Sequence, residues 1–95
     1  MQCIVCIVNV TTAFGRNVSQ HRMRAGLSQG ELGERASLHP TAIGLIERGE
    51  RTARIDTLVK IAGGLEIPPG DLLEGITWTQ GSMTHGHFNL SGFED

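Results

Sequence analysis

At 95 residues, with 39% hydrophobic residues and four aromatics, the chain is long enough for one small domain and too apolar to be a disordered polymer. A domain of this size buries about 60–65% of its unfolded surface, so the core is modest and is built mostly from Leu, Ile, Val and Ala. The net charge of −2 excludes a uniformly basic surface, but the charges are segregated: all eight Lys and Arg residues lie between Arg16 and Lys60, alongside five acids, whereas residues 61–95 carry five acids and no Lys or Arg. Such asymmetry points to a nucleic-acid-facing first part followed by an acidic tail.

Residues 1–12 read as an N-terminal extension. Its Ile/Val-rich run over 3–10 is a short strand or a disordered leader, able to pair with Ile76–Thr79 or His87–Leu90. The run is too short to span a membrane and has no basic flank, so a cytoplasmic protein is expected. Cys3 and Cys6 cannot build a disulfide framework. Together with His85 and His87 they fit no common zinc module, and neither a metal nor a cofactor is expected.

A first helix should follow, capped by Thr12 and ending near Gly26. Ser28-Gln29-Gly30-Glu31 is a capping box, so a second helix runs from there to about Ala36, with Leu32 and Ala36 on its inner face. Ser37-Leu38-His39 is a three-residue break. Pro40 opens a third helix, because its missing N–H has no helical partner at a first position, and Gly49 ends it. A fourth helix spans about Ile55 to Leu65, with Ile55, Leu58, Val59, Ala62 and Leu65 as its apolar stripe. Pro69 can open a short fifth helix through Leu72-Leu73. After Gly75 two alternating segments, Ile76–Thr79 and His87–Leu90, read either as strands or as a loose tail. The expected fold is all-α and compact, with five helices over 13–75 and a 76–95 tail that is extended or β.

The informative feature is the tight break inside residues 28–49. Three residues force the flanking helices to a sharp angle, which is the helix-turn-helix layout, and the second helix of such a pair can lie in a DNA major groove. On the third helix, Ile43, Ile46 and Glu47 face one way. Thr41, Gly44, Leu45 and Arg48 form an outer stripe without acids. Thr41 can exchange hydrogen bonds with a base edge, Leu45 can meet a thymine methyl, Arg48 can bind a phosphate or guanine, and Gly44 would admit close backbone approach.

Gly15, Val18, Arg22, Gly26-Leu27-Ser28-Gln29 and Glu31-Leu32 continue in register through Ile43, Ile46-Glu47-Arg48-Gly49, Leu58 and Lys60-Ile61-Ala62. Over Phe14 to Leu73 this pattern resembles the phage-repressor-type (XRE, Cro/cI-like) helix-turn-helix family, with its lambda-repressor-like DNA-binding domain. The resemblance implies DNA contacts from Gln29, from His39, Pro40, Thr41, Gly44 and Leu45 of the recognition helix and its start, and from Arg48, Arg51, Thr52 and Arg54 after it. It also implies a buried ion pair between Arg22 and Glu47, which a carboxylate on an inner face requires in any case. Three positions depart from the family pattern: Gly33 replaces a common Ala, Ser37 a left-handed Gly, and His39 a Ser or Thr cap.

The family often pairs through the region of its fifth helix. Leu72, Leu73, Ile76 and Trp78 are therefore expected at a homodimer face, with completion of the monomer core as the alternative for these residues. No nucleophile has an activating base near it in sequence, so an enzyme is not expected. The expected function is sequence-specific binding of double-stranded DNA at a palindromic operator by a transcriptional regulator, residues 40–48 entering the major groove. The alternative is a protein-interaction module, antitoxin-like or controller-type, that grips a partner protein through its acidic tail and regulates its own synthesis.

Overall fold

The structure, a computed structural model, describes residues 9–91. In chain order these form α1 (Val10–Arg24), α2 (Gln29–Ala36), α3 (Pro40–Glu47), α4 (Ile55–Leu65), a 3-10 turn (Pro69–Leu73), β1 (Ile76–Gln80) and β2 (Gly86–Leu90). The extension over residues 1–8, with both cysteines and its proposed strand pairing, lies outside the described residues.

The helix boundaries follow local chemistry. Asn9 caps α1 by accepting the Thr12 N–H at 2.9 Å, so this helix starts at Val10, ahead of the start expected from a Thr12 cap. The Ser28 hydroxyl accepts the Glu31 N–H at 3.0 Å while the Ser28 N–H donates to the Glu31 carboxylate at 2.7 Å, closing the capping box of α2. That backbone donation holds the Glu31 carboxyl below its ordinary pKa. Its contribution to the helix is therefore present above the usual carboxylate range and fades as the pH falls through the lowered value. Pro40 begins α3 behind His39, whose Nδ1 accepts the Thr41 N–H at 3.1 Å.

Between α2 and α3, Ser37 takes the left-handed conformation (φ 58°) that the family pattern assigns to Gly. The Leu38 N–H then returns to the Gly33 carbonyl at 2.8 Å. A Cβ at Gly33 would sit 2.6 Å from the Leu38 carbonyl oxygen, so the absence of a side chain is what permits this close turn. Gly15 serves the same end at the α1–α3 crossing, where a Cβ would overlap the carbonyl oxygen of Ile46.

Phe14 and Val18 of α1, Leu32 and Ala36 of α2, Ile43 and Ile46 of α3, and Ile61, Ala62 and Leu65 of α4 meet in one core. The stripe on α4 is wider than the core needs: Ile55 and Val59, expected inside, are exposed.

Two expectations are corrected beyond α4. The fifth helix is a single 3-10 turn, and the tail takes the β form, one of its two expected readings, so the fold is not all-α. Ile76↔Leu90 and Trp78↔Phe88 pair in an antiparallel hairpin. These four side chains share one face by strand alternation, and Ile76 packs against the core. Trp78 and Phe88 meet edge to face with centroids 4.9 Å apart, and the indole also lies over Gly86. Leu72 is 0% exposed and belongs to the monomer core, which removes it from any dimer face. Asn17 anchors this segment: its buried amide donates to the carbonyls of Leu72 (2.9 Å) and Glu74 (3.1 Å).

The left-handed Ser37 stores backbone strain that Gly would not. Ser37→Gly is expected to gain about 1 kcal/mol, a rise of about 4–8 °C in thermal midpoint for a domain of this size. A lowered midpoint in calorimetry would contradict the strain.

Candidate nucleic-acid interface

The surface around α3 is built on a buried charge. Ile43 and Ile46 are buried, and they carry Glu47 inward with them. The Glu47 side chain is 6% exposed, and Arg22 of α1 meets it as a two-pronged partner, Nε to Oε2 at 2.6 Å and Nη2 to Oε1 at 3.0 Å. The third guanidinium nitrogen, Nη1, donates to the Leu27 carbonyl at 2.9 Å. Hydrogen bonding to Glu47 raises the pKa of Arg22 further above its already high value. One side chain thus ties α1 to the end of α3 and to the residue just before the cap of α2.

Glu47 Oε1 accepts a third hydrogen bond, from Gln29 Nε2 at 3.1 Å. Gln29 opens α2, and its amide is drawn across to α3, where it lies over Gly44 beside the end of Arg48. Gly44 is consequently buried, and the expected direct approach of its backbone is replaced by these two side chains. Pro40, Thr41 and Arg48 are exposed on the same helix and its end, and Leu45 is half-buried. His39 is exposed while capping α3. The structure therefore brings Gln29, Gly44 and Arg48 together, with Thr41 and Leu45 on the same helical stripe.

The loop after α3 carries the remaining residues. Arg51, Thr52 and Arg54 are exposed. Thr52 and Thr11 share a hydroxyl–hydroxyl hydrogen bond of 3.2 Å, fastening the loop to the first turn of α1. Arg48 pairs with Glu50 at 3.0 Å and Arg54 with Asp56 at 3.3 Å. Both pairs are solvent-exposed, where such contacts contribute about 0–1 kcal/mol, so a phosphate can displace either acid at little cost. Sequence reasoning gives the acids at 50 and 56 no role, although the alternation Arg48, Glu50, Arg51 is a visible signal for one. Asn17 escapes it too, because one amide on an otherwise apolar helix face carries no motif.

Leu73 is exposed, Ile76 is half-buried, and Trp78 and Phe88 are 56% and 49% exposed. No helix among the described residues is long and apolar enough to cross a membrane.

Two helices joined by a left-handed three-residue break, with the second presenting an acid-free face, define a helix-turn-helix protein. Residues 18–72 match the family model described as helix-turn-helix, HTH_3. The chain belongs to this XRE-type family and is a DNA-binding transcriptional regulator. It is similar to the control protein C.BamHI of Bacillus amyloliquefaciens, with 39% identity over 70 residues that make up 73% of this chain and 86% of the relative. It is also similar to the control protein C.SmaI of Serratia marcescens, with 34% identity over 79 residues, 81% and 94% of the respective chains. Among solved structures, the restriction-modification controller protein C.AhdI from Aeromonas hydrophila superposes with a TM-score of 0.64 at 32% identity, covering 65% of this chain and 94% of that one. The wild-type controller C.Esp1396I gives 0.64 at 28% identity, covering 68% and 86%.

Removing one member of a buried pair strands the other. Glu47→Ala is expected to cost about 3–5 kcal/mol, most of the stability of a small domain. Urea unfolding measures it, and a loss of about 1 kcal/mol or less, the scale of exposed pairs, would contradict the assignment.

Proposed function

We propose that the chain is a controller protein of a restriction-modification system, acting in the cytoplasm as a homodimer on a palindromic operator in double-stranded DNA. The observation that carries this reading is the likeness to two control proteins over most of both lengths. The surface chemistry fits it. In this reading α3 enters the major groove, Gln29, Thr41 and Leu45 face base edges, and Arg48, Arg51 and Arg54 meet phosphates, with His39, Pro40 and Thr52 at the margin. Phosphate contacts fix register, and base contacts fix sequence. A single helix-turn-helix reads one half-site, so two copies about one helical turn apart are needed for a palindrome.

The proposed dimer face uses Leu73 with Ile55 and Val59, one helical turn apart on α4, all exposed without an evident role in the monomer. Ile76 and Trp78 lie on the hairpin that follows and extend this face. Leu72 is excluded by its burial.

The net charge of −2 makes the local arginines decisive. Affinity for duplex DNA should fall steeply with salt, by a log–log slope of about 0.9 per neutralised phosphate. Arg51→Ala should weaken binding to all sequences alike and reduce that slope by about 1. Fluorescence anisotropy between about 50 and 200 mM salt reads both effects. A binding constant indifferent to salt would overturn the proposal.

A further inference from the structure

We infer that Gln29 reads an adenine in the operator's major groove, with the sense of its amide set by Glu47. This deepens the operator-binding reading above and rests on it.

Glu47 is ionised against Arg22, so its carboxylate accepts hydrogen bonds and has no proton to donate. The atom of Gln29 that faces it at 3.1 Å must therefore be the amide nitrogen, and the usual ambiguity between the two ends of an amide is removed. One Nε2 hydrogen is used in this bond. One hydrogen and the whole of Oε1 remain. A major-groove adenine presents a donor, N6, beside an acceptor, N7, and these match Oε1 and the second Nε2 hydrogen. Guanine presents two acceptors there, O6 and N7, which Oε1 cannot satisfy. Turning the amide to suit guanine would set Oε1 against the Glu47 carboxylate and break the anchoring bond.

Gly44 lies beneath this amide. A Cβ at residue 44 would stand 3.4 Å from Gln29 Oε1, 3.8 Å from Nε2 and 3.1 Å from Arg48 Nη1. The ends of two side chains thus rest on bare backbone in the middle of α3. An added methyl at residue 44 would make ordinary van der Waals contact with the Gln29 amide, and only the flexible tip of Arg48 would have to give, by a few tenths of an ångström.

The test selects duplexes from a random pool with the full-length wild type and Gln29→Ala, recording the thermal midpoint of each. The wild type is expected to enrich a palindrome with one adenine per half-site whose preference disappears in Gln29→Ala, while the rest of the motif is retained. Replacing that adenine by 7-deazaadenine, which lacks the N7 acceptor, should weaken the wild type about tenfold and leave Gln29→Ala unchanged. A Gln29→Ala motif identical to the wild-type motif, or equal binding of the 7-deaza duplex by the wild type, overturns the inference and leaves the operator reading standing. A wild type that enriches no duplex overturns the operator reading, and this inference with it.

Discussion

Glu47 sits at the inner end of the recognition helix with its carboxylate almost wholly removed from water, and Arg22 is what lets it remain charged there. Desolvating a carboxylate costs several kcal/mol unless its oxygens are well satisfied. Arg22 donates to it twice and Gln29 once, and the remaining guanidinium nitrogen is absorbed by the Leu27 carbonyl. The pair is a poor source of net stability compared with packed apolar side chains. What it supplies is direction. It orients α3 against α1, where Gly15 lets the two backbones approach closely, and it draws Gln29 across from α2.

The same arrangement explains how a chain with net charge −2 presents a face for DNA. The acid of α3 is turned inward and neutralised, so the outer stripe from Thr41 to Arg48 carries no negative charge. The exposed acids Glu50 and Asp56 occupy arginines that phosphate would otherwise attract, and both contacts are weak enough to exchange. The later acids, Glu66, Asp71 and Glu74, are exposed and lie beyond the helix pair. In the proposed operator complex base recognition rests on few groups, since Pro40 has no side-chain donor and Gly44 is covered. That thinness gives the amide of Gln29 its weight in the site.

Much of this is legible in the sequence, for identifiable reasons. The capping box at Ser28 and Glu31, Pro40 at a first helical position, and the spacing of Leu32, Ala36, Ile43 and Ile46 are local signals, and local physics decides those elements. The start of α1 is misplaced from sequence because Asn9 and Thr12 are both capping residues, and only the fold selects between them. The fifth helix shortens to a 3-10 turn between Pro68 and the Asn17 amide, which takes the carbonyls of Leu72 and Glu74. Burial of Leu72 and exposure of Ile55 and Val59 are tertiary outcomes on apolar residues that periodicity treats alike. The covering of Gly44 depends on a side chain from another helix, Gln29, which no single helical pattern reveals. The hairpin is ambiguous in sequence because Gly, Ser and His separate its strands, and cross-strand pairing of Trp78 with Phe88 resolves it.

Whether Arg22 and Glu47 act as a unit is tested most directly by unfolding free energies of Arg22→Met, Glu47→Leu and the two combined. Each single change leaves a charge without its partner and should lose about 3–5 kcal/mol. The combined change leaves no stranded charge and should recover much of that loss, with a coupling of about 2 kcal/mol or more. Losses that simply add in the double variant would contradict a central role for the pair.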